Sequence, residues 1–451
     1  MTTADQERQD GFRPALVTQI ELTEALPDIG KTDQQTTAYA HAMVLVRIHG
    51  EPLGIIDLEL DEGRIAAEQY APLVWKTFSD GANRHLEADG FGCLQELPTR
   101  GLKAPRAGAA CDKAQQAALN RAPMASVIIA TRERAEQLER CLESFEKVQY
   151  PHFEVLVVDN NPKTSATADL VQQLKSDMPM LRYIRDDRQG ISWAHNRGIE
   201  EARGQIIAFT DDDVVVDPGW LIELVRGFEL GEKVACVTGP LVPMELETEA
   251  QELFERYDGF NRGYEPIIFD MGEHRMNNVF YPFSVGHCGT GASMAFTREA
   301  VHGICRPDPA LGVGSKALAG DDLDRFYQVI VHGYQLVYTP ASIAFHQHRR
   351  GYAELRRQVY AYGVGLTAYL TKCLLTDVRR IPGFLARIPA GIYNMLASRS
   401  SLNTARGPSF PDELSRVEWM GMLYGPIAYL RARADLRNGK SPAPEAAAEA
   451  V

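Results

Sequence analysis

The chain has 451 residues and is 45% apolar, which is enough for about two or three globular domains with sizeable cores. No window approaches the roughly 18 uninterrupted apolar residues of a membrane-spanning helix, and the polar start of the chain lacks a signal-peptide pattern, so we expect a cytoplasmic protein. The net charge of −13 argues against nucleic acid as a general partner, and seven scattered cysteines without a Cys-x-x-Cys pair argue against disulfides and a zinc cluster.

The N-terminal part of the chain predicts a small α+β accessory domain over residues 1–100, and no motif in it indicates a role. Residues 42–60 form two strand-like runs that are interrupted at 50–52 by Gly-Glu-Pro, which is typical of a hairpin. A helical pattern follows at about 65–86. The next segment is rich in proline, glycine and alanine and predicts a linker over residues 101–123.

From residue 124 onward, short apolar runs alternate with amphipathic helical stretches. The runs are "SVIIAT", "EVLVVDN", "LRYIR", "QIIAFT" and "VACVTG". Runs that are apolar at every position are typical of strands buried on both faces. Residues 124–350 therefore predict an α/β domain with a mostly parallel sheet flanked by helices.

The C-terminal part predicts a helical extension over residues 351–438 and a disordered tail over 439–451. Residues 341–440 hold 13 Arg and 2 Lys against 6 acidic residues. This basic surplus, beside aromatic and aliphatic runs, fits peripheral contact with an anionic membrane surface. Core helices whose arginine stems lie across apolar surface fit the same pattern.

Carboxylates follow several of the predicted strands. Asp159 follows "EVLVV", Asp211–Asp213 follow "QIIAF", and Asp321 with Asp322 occurs in "LAGDDLD". Ligands bind at the carboxyl ends of strands in open parallel sheets, so one cleft can gather all of these groups.

Three consecutive carboxylates after a buried strand repel one another unless a cation or a water-filled cleft faces them. Asp211 and Asp213 can share one hard divalent cation, whereas Asp212 points elsewhere. A solvated turn with a helix cap is the alternative for these three. A strand-terminal turn is the alternative for Asp159, and an N-cap is the alternative for Asp321.

Five segments resemble, in order and spacing, the family 2 glycosyltransferases, which are inverting enzymes of the GT-A fold. The segments are "ASVIIATRERAEQLERCLESF", "FEVLVVDNN", "GISWAHNRGIEEARGQIIAFTDDD", "GTGASMAF" and "GDDLD". The resemblance covers residues 124–350. It implies transfer of a sugar from a nucleoside-diphosphate donor to a sugar, lipid-linked or small-molecule acceptor hydroxyl, in bacterial cell-surface polysaccharide, glycolipid or natural-product glycosylation.

The resemblance also implies roles for individual residues. Asp211 and Asp213 would bind Mg²⁺ or Mn²⁺, and His346 would complete the metal shell or touch the diphosphate, with a surface histidine as the alternative. Asp322 would be the general base, with Asp321 as the neighbouring candidate. The donor side is assigned to Thr131, Arg132, Asp159, Asn160, His195, Asn196 and Asp212. The acceptor side is assigned to Gly289, Thr290 and Gly291.

The chain departs from the family pattern at three places. Asn160 and Asn161 stand where many relatives have an aspartate and a glycine, His195 stands where an arginine is common, and Asp321 replaces the usual glutamate. Two other functions fit parts of the pattern. A haloacid-dehalogenase-like phosphatase fits "FTDDDVVV" but needs its nucleophile on the first strand of its core. A non-catalytic sugar-nucleotide-binding protein has no need of Asp322.

Overall fold

The computed structural model describes residues 12–30, 39–390, 393 and 410–440. The predicted C-terminal tail lies almost wholly outside the described residues. The described part of the chain forms an N-terminal α+β unit, a large α/β unit and a helical C-terminal extension, as the sequence predicts.

The N-terminal unit is built on a three-stranded sheet and one long helix. Strand β3 (His41–Ile48) lies between β1 (Ala15–Glu21), which is parallel to it, and β4 (Glu51–Glu59), which is antiparallel. Strands β2 (Ile29–Gly30) and β5 (Arg64–Ile65) form a second, short sheet. Helix α1 (Ala67–Ala88) closes the unit.

The predicted hairpin is confirmed, and its turn consists of two residues. His49 has a φ of 54° and Gly50 a φ of 84°. Two successive residues with positive φ match the right-handed twist of the flanking strands in a two-residue hairpin. The turn brings His49 into the interior of the unit, where it is buried.

The predicted linker is shorter and more ordered than the sequence suggests. Leu102 and Ala104 are buried in the N-terminal core, and the Leu102 amide donates to the Leu22 carbonyl. Helix α2 (Ala110–Asn120) follows directly. The segment is ordered because its apolar side chains are buried in two cores: Leu102 and Ala104 in the N-terminal core, and Ala118 in a core of the large unit.

The large unit contains an eight-stranded sheet in which six strands point in one direction. The spatial order is β13 (Ile267–Phe269), β15 (Gln335–Tyr338), β11 (Val234–Thr238), β14 (Ser293–Thr297), β9 (Ile206–Asp211), β6 (Ala125–Thr131), β7 (Phe153–Asn160), β8 (Leu181–Asp186). Strands β13 and β14 are the antiparallel members.

Both faces of this sheet are buried, as its continuous apolar runs predict. Along β6, Val127 and Ile129 face one hydrophobic core, whereas Ile128 faces the other. The flanking helices are α3 (Ala135–Ser144), α4 (Ala166–Leu174), α5 (Ile191–Glu201), α6 (Trp220–Gly227), α7 (Glu249–Asp258), α8 (Arg298–Gly303) and α9 (Asp321–Val331).

A small sheet joins the N-terminal unit to the large unit. It consists of β10 (Val214–Val216), β16 (Ala344–His346) and β12 (Leu241–Pro243), with β16 in the centre. Leu45 of β3 packs against Val242 and Ile343. Nearby, Arg47 and Asp217 form an ion pair with a shortest N–O distance of 2.6 Å.

The C-terminal extension is helical, with α10 (Tyr352–Thr376), α11 (Ile381–Leu385) and α12 (Asp412–Arg437). Glycines let α10 and α12 approach closely: a Cβ at Gly363 would lie 2.2 Å from the Glu418 carbonyl oxygen, and one at Gly421 would lie 2.3 Å from that of Tyr360. Helix α10 is thus a packed helix of the fold. No helix among the described residues combines the length and the apolar character needed to cross a bilayer.

Candidate active site

The sheet register brings three predicted site residues to one edge. Thr131 at the end of β6 is paired with Asp159 at the end of β7, and Ala130 is paired with Asp211 at the end of β9. Parallel strands that end together present their terminal side chains to a common cleft. Thr131, Asp159 and Asp211 therefore share the carboxyl edge of the sheet.

Arg134, which the sequence analysis did not single out, holds two of the three consecutive carboxylates. Its guanidinium lies 2.5 Å from Asp212 and 2.8 Å from Asp213. Asp212 also accepts a hydrogen bond of 2.7 Å from the Thr131 hydroxyl. Asp212 therefore connects the end of β9 to β6 and to the start of α3. These contacts give it a structural role, and its contact with the donor stays a prediction.

The three carboxylates differ in their proton affinity. Burial and the charges of Asp213 and Asp212 raise the pKa of Asp211 well above its usual value. Burial also opposes ionisation of Asp213, but His346, Arg134 and Arg349 outweigh it and hold its pKa below the usual range. Among the described residues, Asp211 is thus the one of these three carboxylates that forms no ion pair, and Arg134 lowers its pKa only in part.

The pairing of β10 with β16 places His346 beside this group. Val214 is opposite His346, and the His346 Nε2 atom lies 3.6 Å from an Asp213 oxygen. Burial lowers the pKa of His346 to about 4, so its ring is neutral at pH 7.

A chain of hydrogen bonds assigns the tautomer of His346. His348 Nε2 lies 2.6 Å from a Glu255 oxygen, so this nitrogen carries the proton that the carboxylate accepts. The other His348 nitrogen, Nδ1, then accepts from His346 Nδ1 at 2.8 Å. The lone pair of His346 is consequently on Nε2, toward Asp213. The carboxylates of Asp211 and Asp213 with this nitrogen make a donor set that fits Mg²⁺ or Mn²⁺.

Asp159 has an oxygen ready for a ligand. Its side chain is buried, one oxygen accepts a 2.9 Å hydrogen bond from the Tyr183 hydroxyl, and the other oxygen has no hydrogen-bond partner among the described residues. Burial raises the pKa of Asp159. A buried acceptor without a partner is costly, and a ligand hydroxyl or N–H would satisfy it.

Three other residues assigned to the donor are engaged elsewhere or lie apart. The side-chain amide of Asn160 donates to the Arg188 carbonyl and accepts from the Gly190 amide. Asn196 donates to the Pro307 carbonyl and accepts from Arg306. Arg132 is half-buried and forms no hydrogen bond or ion pair within the described part of the chain.

His195 lies beside the second carboxylate group. Its ring is buried against Phe209, neither ring nitrogen has a hydrogen-bond partner among the described residues, and Nδ1 lies 3.9 Å from an Asp321 oxygen. Burial, with the charge of Arg325, lowers its pKa to about 3. His195 therefore gives no positive charge to a phosphate at neutral pH.

The glycine-rich loop orients Asp322. The Gly291 amide donates to one Asp322 oxygen at 3.1 Å, and the Leu323 amide donates to the other at 2.7 Å. A Cβ at Gly289 would lie 2.4 Å from Thr238, and the φ of 138° also demands glycine. Thr290, between these glycines, is buried. The loop thus holds Asp322 where β14 begins, next to the end of β9.

Asp321 is not a helix cap, contrary to one of the two expectations for it. The N-cap of α9 is Gly320, with a φ of 89° and no side-chain capping bond. Burial, followed by the charge of Asp322, raises the pKa of Asp321 to about 7. The Gly291 amide that binds Asp322 lies two residues before Ser293, which pairs with Thr210 next to Asp211, so the two carboxylate groups lie at the same edge of the sheet.

Arg325 lies beneath this pair and was also missed by the sequence analysis. It is fully buried between the rings of Phe209 and Phe296, at 4.1 and 4.0 Å from their centroids. Its Nε and one terminal nitrogen have no hydrogen-bond partner among the described residues. The spacing of Asp321, Asp322 and Arg325 on one helix was the available signal, since residues three or four apart share a helix face.

The strand order disfavours the phosphatase alternative. Strands β6, β7 and β8 precede β9 in the same sheet, so Asp211 does not follow the first strand of this unit.

Two consecutive arginines after β16 have different partners. Arg349 lies 3.8 Å from Asp213, at the carboxylate group. Arg350 forms ion pairs with Glu245 and Glu247 instead.

A second cluster of metal-ligand types lies outside the cleft, at His49, His85, Asp89 and Cys111. Within the described part of the chain, the ligand atoms of these four side chains all lie within 4.8 Å of one another. The sequence analysis missed it because its ligands come from distant segments. The signal that was present is His85 and Asp89, four residues apart at the end of α1.

Comparison with known proteins gives the following matches. The family model of glycosyl transferase family 2 matches residues 126–300. Uncharacterized protein y4gI of Sinorhizobium fredii is 27% identical over 230 residues, 50% of this chain and 24% of that protein. Glycosyltransferase AglE of Haloferax volcanii is 37% identical over 145 residues, 31% of this chain and 45% of that protein.

Among solved structures, the mannosyltransferase PcManGT from Pyrobaculum calidifontis, in complex with GDP-Man and Mn²⁺, is 19% identical. The similarity covers 71% of this chain and 81% of that one, with a TM-score of 0.41. The matched segments span less than half of the length of the two curated relatives.

Proposed function

Residues 126–300 belong to glycosyl transferase family 2, and from this premise we propose that the chain transfers a sugar from a nucleoside-diphosphate donor to an acceptor hydroxyl with inversion. One observation carries the proposal. Asp322 accepts a hydrogen bond from the Gly291 amide, and Ser293, two residues on, pairs with Thr210 next to Asp211, which brings the Asp321–Asp322 pair to the edge of the sheet where the Asp211–Asp213 group lies. One group suits a donor diphosphate with its cation, and the other suits proton removal.

Asp211, Asp213 and His346 Nε2 would hold a Mg²⁺ or Mn²⁺ ion. Asp211 supplies a carboxylate that forms no ion pair within the described part of the chain, and the His348–Glu255 chain leaves a lone pair on Nε2 of a neutral His346. When bound, such an ion stabilises negative charge on the leaving diphosphate as a Lewis acid. Arg134 and Arg349 add fixed positive charge at the same edge.

The nucleoside end of the donor is proposed to bind at Asp159. Its free oxygen can accept a hydrogen bond from a ribose hydroxyl or a base N–H, and Tyr183 fixes the other oxygen. Thr131 lies beside Asp159 in the sheet register, but its hydroxyl is engaged by Asp212. Thr131 therefore shapes this end of the cleft.

Asp322 is proposed as the general base. Two backbone amides and the positive end of α9 favour its ionised form, although burial raises its pKa. As the acceptor oxygen bonds to the anomeric carbon, its proton passes to Asp322 and the bond from that carbon to the diphosphate oxygen breaks. Attack from the face opposite the leaving group inverts the anomeric centre.

Release of nucleoside diphosphate from a panel of nucleotide sugars tests this proposal. We expect turnover or slow donor hydrolysis with Mn²⁺ or Mg²⁺, and none in EDTA or in Asp213→Asn. Asp177→Asn, at an exposed carboxylate outside the cleft, is the matched control and keeps activity. Binding of a nucleotide sugar without any release of diphosphate would instead identify a non-catalytic binding protein.

We further propose that α12 rests on an anionic membrane, where a lipid-linked acceptor would be reached. Four apolar side chains at helical spacing are about half exposed or more: Met420, Leu423, Ile427 and Leu430. Exposed arginines, among them Arg416 and Arg437, flank this stripe. Apolar stripes with basic flanks bind membrane interfaces.

Flotation with vesicles tests the membrane contact. The full chain should float with anionic vesicles and much less with neutral ones, and Leu423→Glu should remove most of the binding. Leu73→Glu, at an exposed leucine of α1, is the matched control and should float like the wild type. Equal flotation with both vesicle types, or no flotation, would contradict the contact.

A further inference from the structure

Four side chains from three segments of the N-terminal region converge on one point. His49 lies in the turn between β3 and β4, His85 lies in the last turn of α1, Asp89 lies just beyond it, and Cys111 lies in the first turn of α2. All are remote in sequence from the proposed catalytic residues. Their ligand atoms are His49 Nδ1, His85 Nε2, Asp89 Oδ2 and Cys111 Sγ.

The distances among these atoms are short. His49 Nδ1 lies 2.7 Å from Asp89 Oδ2 and 3.1 Å from His85 Nε2, and the last two atoms are 3.0 Å apart. Cys111 Sγ lies 2.9 Å from Asp89 Oδ2 and 3.4 Å from His49 Nδ1. The side chains of His49, Asp89 and His85 are 0%, 3% and 13% exposed.

Outer contacts turn the ligand atoms of His49, His85 and Asp89 toward the centre. The other nitrogen of His49, Nε2, donates to the Ala104 carbonyl at 2.8 Å, which leaves the lone pair on Nδ1. His85 Nδ1 faces a Glu51 oxygen at 3.4 Å, so Nε2 is the nitrogen that faces the centre. The second Asp89 oxygen accepts from the Cys111 amide at 2.7 Å.

These contacts turn acceptor atoms of His49 and Asp89 toward one another, with His85 Nε2 and the Cys111 thiol beside them. A cation at the centre of such a buried group would interact favourably with all four ligand atoms. Imidazoles whose outer N–H is held by a carbonyl or carboxylate are the usual form of metal-ligating histidine. The outer contacts therefore prepare the inner atoms as ligands.

The geometry does not fit a cysteine nucleophile activated by histidine and aspartate. In such a relay, the thiol and the carboxylate face opposite nitrogens of one imidazole. Here Asp89 and Cys111 both face Nδ1 of His49, and Nε2 is occupied by the Ala104 carbonyl.

We propose that His49, His85, Asp89 and Cys111 form a structural Zn²⁺ site. Two imidazoles, one carboxylate and one thiolate are ligands that zinc accepts, and tetrahedral zinc places its ligand atoms roughly 3.3–3.7 Å apart. The two shortest separations, 2.7 and 2.9 Å, must each widen by about half an ångström to enter this range. Four protein ligands leave no open position, which distinguishes a structural site from a catalytic one.

The site fastens the hairpin turn, α1 and α2 to one another. Helix α2 leads directly into β6 of the large unit. Arg47, two residues before His49, is paired with Asp217 of the same unit. Zinc would therefore fix the accessory unit where it meets the catalytic unit. This gives the predicted accessory domain a structural role that does not depend on the glycosyl transfer.

Metal analysis of the purified full-length chain tests the site. We expect one Zn²⁺ per chain in the wild type, in Cys93→Ser and in Asp213→Asn, and less than a tenth of that in Cys111→Ser. Cys93 is exposed and is the matched control for loss of a thiol. Asp213→Asn keeps zinc because its carboxylate belongs to the catalytic cleft.

Two measurements on the wild type need no ligand variant. Replacement of zinc by Co²⁺ should give tetrahedral ligand-field bands and a thiolate-to-metal charge-transfer band, and Zn²⁺ should raise the melting temperature of the metal-depleted chain. Glu51→Gln should keep the Co²⁺ spectrum with affinity about 10- to 100-fold weaker. Wild-type protein from zinc-supplemented cells that holds no zinc, a Co²⁺ complex without the charge-transfer band, or full zinc in Cys111→Ser would overturn the proposal.

Discussion

The carboxylate cleft of the large unit and the His-Asp-Cys cluster of the N-terminal unit both gather carboxylate and imidazole groups, but in different surroundings. In the cleft, Arg134 and Arg349 lie against Asp213, and Arg134 is 30% exposed. In the cluster, the ligand side chains contact the Ala104 carbonyl, the Cys111 amide and the Glu51 carboxylate, and those of His49 and Asp89 are 0% and 3% exposed. Arginine side chains can move aside for a cation that arrives with substrate. In a buried cluster, a bound cation would exchange with solvent only slowly.

Under the two proposals, exposure and counter-charge, more than ligand type, separate the exchangeable cation site from the permanent one. Both places contain imidazole and carboxylate ligands that are oriented by outer hydrogen bonds. Only the cleft lies at the carboxyl edge of the sheet beside a second carboxylate pair. A substitution in one of the two places leaves the other unchanged, so the second place serves as an internal control.

The largest expected effect is at Asp322. Asp322→Asn keeps the size and the backbone hydrogen bonds of this side chain but cannot take a proton, so kcat should fall by about 10²–10⁴-fold. Donor affinity and zinc content should stay near wild type. Steady-state kinetics with titration of the donor measures both quantities, and an Asp322→Asn enzyme with normal kcat would move the base to another residue.

The next effect concerns the hydrogen-bond chain behind His346. His348→Ala removes the partner that fixes the His346 tautomer, so Mn²⁺ affinity at the cleft should fall by about 10- to 100-fold although His348 is not itself a proposed ligand. Zinc content should not change. Calorimetric Mn²⁺ titration measures the loss. His332→Ala, at an exposed histidine, is the control, and equal Mn²⁺ affinity in both variants would remove His346 from the ligand set.

The smallest expected effect is a pH-dependent change in stability at Asp321. Its pKa is raised to about 7, so its contribution to stability is present below its ordinary pKa and is lost as the pH rises through about 7. Asp321→Asn is neutral at every pH and should therefore gain about 1–4 kcal/mol over the wild type at pH 8 relative to pH 5, at roughly 1.4 kcal/mol per pKa unit.

Urea unfolding at pH 5 and pH 8 in EDTA measures this difference without a bound cation. Asp177→Asn, at an exposed carboxylate, should show no such pH dependence. A parallel stability profile for Asp321→Asn and wild type would mean that Asp321 titrates normally, and the electrostatic link between the two carboxylate groups would then be absent.

The sequence by itself determined the α/β architecture and the family. The runs around β6, β7 and β9 are apolar at every position, which is a local pattern that only a strand buried on both faces requires. The acidic residues at their ends follow from the same pattern, because strands of a parallel sheet end at one edge. The family 2 resemblance and the GT-A fold class are confirmed on this basis by the family match and the observed sheet.

Only the tertiary structure decided how these side chains are used. Arg134 reaches Asp212 and Asp213 across 78 and 79 residues, and His49 meets Cys111 across 62. The N-cap of α9 at Gly320, instead of Asp321, depends on the loop that packs against α10. Local periodicity fixes which residues lie in strands and helices, but the convergence of distant polar groups depends on loop geometry and burial, which no local pattern encodes.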